Sequence, residues 1–150
     1  MKNLKTNHLL VIVVLGTIFS FSPLTLQPSM GQTISDNLTA PTVSALYGGE
    51  EKGKFDLSVK NGTVMIQASM NESPANGEVY EGWLEDKGDA SGYSLSLGKF
   101  DETNTLNANQ TMVNPYTYTI FYVTAEPDND PDPNPSDVLA AAKLKLPFGQ

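Results

Sequence analysis

The stretch "KFDLSVKNGTVMIQASM", residues 54–70, confines this chain more than any other. Phe55, Leu57 and Val59 alternate with polar neighbours, and Val64, Ile66, Ala68 and Met70 repeat the pattern after Asn61-Gly62. Successive side chains of a strand point to opposite faces, so a period of two collects each apolar set on one side. Asparagine and glycine tolerate the positive φ that a type I′ turn demands at both central positions. The segment therefore predicts two antiparallel strands paired across residues 55–70.

The same period recurs downstream. "ESPANGE" interrupts the chain with Pro74 and Asn76-Gly77, a turn signal. "EVYEGWLED" then sets Tyr80, Gly82 and Leu84 on one face and Val79, Glu81, Trp83 and Glu85 on the other; the first face is the one expected in the core. "SGYSLSLGKF" alternates through Tyr93, Leu95 and Leu97, while "TYTIFYVTAE" is apolar on both faces at its centre, as suits an interior strand covered on both sides. "VLAAAKLKLPF" opens with residues that could start a helix, but Leu144 and Leu146 alternate with Lys143 and Lys145 before Pro147, which favours a strand. Six to eight short strands between turn signals imply an all-β fold, an antiparallel β-sandwich of immunoglobulin-like or similar Greek-key type.

The start of the chain bears on location. "MKNLKTNH" holds two lysines and no acid, and the apolar run from Leu9 to Phe21 follows it; this is a secretory signal pattern. Residues 1–31 read as a signal peptide cleaved after Gly31, with an uncleaved anchor extending to Leu26 as the alternative and the only route to a membrane. Residues 32–51 read as a flexible stem, in which "TVSALYG" could add an edge strand, and residues 52–150 as the β domain. The expected location is secreted or cell-surface.

Without the leader, seven of the nine lysines face seventeen acidic residues, a formal charge near −10, with no arginine. Nucleic acid is a poor partner, because phosphate contact needs clustered cations. The chain has no cysteine, and its one histidine, His8, lies in the leader. That excludes a lipoprotein thioether anchor, a blue-copper centre, histidine-dependent triads and the preferred ligands of zinc. Carboxylate pairs, a serine-lysine pairing and oxygen-ligand metals survive. Ser94 and Ser96 alternate with Leu95 and Leu97 and read as the polar positions of a strand. No cofactor and no catalytic residue is expected.

On Tyr80, Trp83-Leu84, Gly88, Leu97-Gly98 with Phe100, and Thr124, Glu126 and Pro127, residues 52–146 resemble the extracellular C-terminal domain of anti-sigma-K (RskA-like) factors. The resemblance implies a β-rich outer sensing domain. Those factors carry a cytoplasmic sigma-binding domain and a membrane helix ahead of it, whereas a leader stands there in this sequence, so the implied activity is interaction or sensing at the envelope, not direct sigma-factor inhibition. An envelope or surface protein is the implied partner. The family's glycine-rich turn after glutamate-proline is replaced by "DNDPDPNPSD".

Three local features carry sharper readings. Trp83, between Glu81 and Glu85, is either an exposed anchor for a glycan or protein or packed beneath a loop or a neighbouring sheet. Asn37, Asn61, Asn71 and Asn109 each open an Asn-x-Ser/Thr motif, where chance gives about two, and fit N-glycosylation of an exported chain. Finally, Asp128, Asp130, Asp132 and Asp137 could serve a calcium-dependent binding or adhesion site. An EF-hand loop wants glycine at its sixth position and glutamate at its twelfth; counted from Asp128, these are Pro133 and Leu139. Pro131, Pro133 and Pro135 also hold the chain extended, so the stretch reads as a stiff acidic connection between a strand ending near Glu126 and the last strand from about Val138. A small hydrolase using a carboxylate pair is the remaining alternative.

Overall fold

The computed structural model describes residues 33–86 and 92–149; the leader and residues 87–91, Gly88 among them, lie outside the described residues. Eight antiparallel strands run in chain order as β1 Thr33–Thr39, β2 Glu51–Lys60, β3 Thr63–Met70, β4 Glu78–Glu85, β5 Ser94–Lys99, β6 Thr105–Thr111, β7 Ile120–Pro127 and β8 Val138–Lys143. The all-β antiparallel expectation is met at the upper end of its strand count. All eight belong to one hydrogen-bonded sheet in the order β5-β4-β7-β8-β1-β2-β3-β6. The sheet is folded over, so that its two end strands, β5 and β6, come into contact.

The expected hairpin is present in the expected register, with Phe55 opposite Ala68, Leu57 opposite Ile66 and Lys60 opposite Thr63. Asn61 and Gly62 take φ of 51° and 75°, the pair of left-handed conformations a type I′ turn requires. Facing that hairpin is β7, paired with β4 along its whole length. The Phe55 and Phe121 rings meet at 5.1 Å between centroids, a contact from β2 to β7 that crosses the interior. Leu38, Leu57, Leu84 and Val123 are fully buried around it. Removing such side chains from water contributes about 1.5–3 kcal/mol each.

The two halves of the sheet differ on their outer faces. On β4-β7-β8 that face is covered: Trp83, Ile120, Tyr122 and Ala141 form a second buried cluster, with Leu46 and Tyr47 of the 40–50 loop packed over them, while β5 at the edge has no buried residue. The strand β7 is thus buried on both sides, as its two apolar faces predict. On β1-β2-β3-β6 the outer face is wet, with Asn37, Lys54, Asp56, Gln67 and Asn109 exposed.

Several boundaries need correction. The segment 32–51 is not a flexible stem: from Thr33 it is a strand, paired with β2 from Thr33 opposite Ser58 to Thr39 opposite Glu51, because Ile34 and Leu38 find core to enter. The domain therefore begins at β1. "TVSALYG" is a succession of bends, not an edge strand; Thr42 Oγ1 accepts from Ala45 N at 3.1 Å, closing a local turn that turns Leu46 and Tyr47 onto the sheet. The last strand stops at Lys143. Leu144 continues into the core, but Leu146 is 71% exposed, and Phe148 returns to pack edge-on against Tyr116 at 5.5 Å.

A β-bulge accounts for one resemblance motif. Gly82 pairs with Gly98 but Trp83 pairs with Ser96, so β5 carries one extra residue there. Gly98 takes φ of 105°, and a Cβ on it would meet nothing within 4 Å. The demand for glycine is conformational, from the bulge.

Candidate functional site

β1 and β8 are neighbours in the sheet, yet they pair only at Thr39 and Ala141. Continued in the same register, Asn37 would face Lys143. That pair does not form. The β1–β2 ladder shifts register between Leu38 and Thr39, where β2 carries one extra residue, the Asn37 N–H donates to Asp36 Oδ1 at 3.0 Å, and the Asn37 side-chain amide donates to Glu51 Oε2 at 2.8 Å. The seam opens into a groove of about 1160 Å³. Ile120, Ala142, Leu144 and Phe148 line it and are themselves buried; Tyr47, Lys143 and Lys145 stand at its rim.

The polar groups of the groove are few and specific. Lys145 Nζ spans the gap to Asp36 Oδ2 at 2.7 Å. That ammonium, aided by the Asn37 N–H, holds the Asp36 carboxyl below its ordinary range, against a smaller opposing effect of burial. Leu144 N donates to Thr119 O at 2.8 Å on the β7 side; antiparallel alternation then aims the peptide groups of Lys143 the other way, into the seam. An apolar floor, two lysines and a strand edge without its ladder suit an extended or amphipathic ligand bearing negative charge.

The described residues that carried the resemblance come together in pairs elsewhere in the fold, and none of them lines the groove. Phe100 N donates to Tyr80 O at 2.8 Å, and their rings meet edge-on at 6.0 Å. Leu84 lies in the main core. Trp83 is not an exposed anchor: it is 4% exposed and stacks on Tyr122 at 6.4 Å. Its indole N–H donates to Thr124 Oγ1 at 2.9 Å, and Thr124 Oγ1 donates in turn to Glu126. Pro127 ends β7.

Glu126 is the group whose role sequence reading missed. It sits 2% exposed at the root of the acidic loop and accepts from Ser136 N at 2.9 Å and from Ser136 Oγ. Burial pushes its carboxyl up, but the donors from Ser136 and Thr124 together outweigh burial and leave it below the usual range. The loop is thereby pinned closed ten residues apart. Its own carboxylates turn inward on its backbone: Asp130 Oδ1 accepts from Asp132 N, and Asp132 Oδ1 from Asn134 N. Asp128 is held through its peptide group, its N–H to Gly77 O and its carbonyl to Lys99 Nζ, and Asp137 is exposed. Among the described residues, no group of three or more acidic side chains is placed to hold a metal ion.

A second buried carboxylate, Glu85, is 1% exposed, and its Oε1 has no hydrogen-bond partner. It pairs directly with Ile120 of the groove floor. Tyr122, whose hydroxyl donates to Ser94 Oγ at 2.9 Å, has its phenol pushed up by burial, with Glu85 and Glu126 adding to the effect against that hydrogen bond. The four Asn-x-Ser/Thr asparagines all lie on the other half, β1-β2-β3-β6, or on its turns.

Comparison with family models, with curated proteins and with solved structures finds no match for this chain.

Proposed function

We propose that this is an exported, non-enzymatic β domain that acts as an interaction or sensing module at the cell surface or in the secreted fraction, akin to the outer domain of anti-sigma-K factors. The observation that carries the reading is the seam groove: a concave apolar floor whose lining carries two lysines against one aspartate, in a chain of strongly acidic composition. Such a contrast favours capture of an anionic, partly apolar partner over non-specific adhesion. Tyr80 with Phe100, and Trp83 with Thr124 and Glu126, are built into the scaffold and none of them lines the groove; only Trp83 reaches it, through the cluster it shares with Ile120 and Tyr47.

A photoreactive residue placed at Lys143 in the full chain, in its native cells, tests the proposal. A discrete crosslinked species should form from position 143 and be absent when the same residue replaces Gln67 on the wet face. Absence of any crosslink from position 143, or an equal pattern from both, would remove the groove as the binding site. Recovery of the whole protein from the cytoplasm with its leader intact would remove the export reading.

A further inference from the structure

The four Asn-x-Ser/Thr motifs are distinguished by where the fold puts them. Asn61 is at the tip of the β2–β3 turn with φ of 51°, Asn71 follows β3 in an exposed bend, and Asn109 lies on β6, an end strand of the sheet. All three side chains are exposed, and none makes a hydrogen bond to a described residue. Asn37 is exposed as well, but its motif is held differently. It lies within β1, between β2 and β8; its middle residue, Leu38, is completely buried; its amide is bound to Glu51; and Asn37 itself lines the groove.

We propose that the exported protein carries N-linked glycans at Asn61, Asn71 and Asn109, and not at Asn37. This rests on the export reading above. The donor class is a lipid-diphosphate-linked oligosaccharide. The Asn Nδ2 forms a bond to the anomeric carbon as the bond from that carbon to the diphosphate oxygen breaks; the lipid diphosphate leaves with the electron pair, and the amide nitrogen gives up one proton. No oxidant or reductant is involved. A turn, a bend and an end strand present an acceptor peptide with little disruption of the sheet, whereas presenting Asn37 means withdrawing Leu38 from the core.

The pattern has a physical consequence for the surface. Thr63 and Thr111, the third residues of the Asn61 and Asn109 motifs, meet across β3 and β6 at 3.0 Å, so two glycans would rise from one corner of the wet face. They would shield the exposed edge of β6 from pairing with other chains. The groove, on the far side of β1, stays clear.

The test is intact-mass and glycopeptide mass spectrometry of the protein purified from its native host. The expected result is a leaderless chain heavier than its sequence mass, with sugar on the peptides containing Asn61, Asn71 and Asn109. Asn71→Gln and Asn109→Gln should each remove one increment, while Asn37→Gln should remove none. Since Asn61→Gln disturbs a left-handed turn position, Thr63→Val provides a second variant that keeps Asn61 and should remove the same increment. Thr63→Ser should retain it. A leaderless exported chain at its sequence mass, or sugar on Asn37, overturns the glycan proposal while leaving export standing; a full-length cytoplasmic chain at its sequence mass overturns both.

Discussion

The two halves of the sheet have the same number of strands and opposite surroundings. β4, β7 and β8 are buried over most of both faces, the inner against the other half and the outer beneath Leu46 and Tyr47, with the half-exposed β5 at their edge. β1-β2-β3-β6 is buried on one face and wet on the other. A sheet with one wet face announces itself by strict alternation; a sheet covered twice does not. The covered half also holds the two buried glutamates and meets the seam groove, so function is assigned to the half whose sequence is harder to read.

The comparison is tested hardest by truncation to alanine on each of the two outer faces. Trp83→Ala should cost about 3–5 kcal/mol in urea unfolding, whereas Met65→Ala on the wet face should change stability by no more than about 0.5 kcal/mol. Similar costs at both positions would mean that the outer faces are alike. Next in size is the turn of the wet half. Gly62→Ala puts a side chain at φ of 75° and should cost about 1–2 kcal/mol, read as a lower urea midpoint with unchanged slope.

Glu126 connects stability to pH. Its carboxyl is held below its ordinary range in the folded protein, so its contribution is present above the unfolded value and is lost as the pH falls through the folded one. Thermal melts from neutral pH downward should show a loss of stability in that acid window that is smaller in Glu126→Gln. An identical acid slope in both proteins would show that the Ser136 and Thr124 donors do not favour the charged form. The smallest effect belongs to the seam. Lys145→Ala removes an exposed ion pair with Asp36 and should cost below about 1 kcal/mol, a difference that high salt should erase.

What could be read from the sequence follows the same division. The β2–β3 hairpin was legible because alternation and Asn61-Gly62 agree on one register. β6 was not, since Asn107 and Asn109 are poor strand formers and only Leu106 is buried outright; its register against β3 holds it. β1 was hidden because Asp36 stands between Ile34 and Leu38 and makes the run look polar. Trp83 and Glu85 were placed on the more polar face of β4, correctly by period, yet both are buried; over the Trp83 cluster lies a loop some forty residues earlier, and strand periodicity carries no information about that. For Glu126 the available signal was the Thr-x-Glu spacing, which puts Thr124 and Glu126 on one face of β7. The groove had the faintest trace. It arises from a ladder that stops after one pair, and Lys143 and Lys145 read only as the polar positions of a strand.

Trp83 is the sole tryptophan, so acrylamide quenching of its fluorescence tests directly whether β4-β7-β8 is covered on its outer face. A covered face predicts blue-shifted emission and weak quenching that rises only on unfolding in urea. Emission and quenching in the native protein equal to those of free N-acetyltryptophanamide would contradict it, and would return Trp83 to the surface as a contact residue.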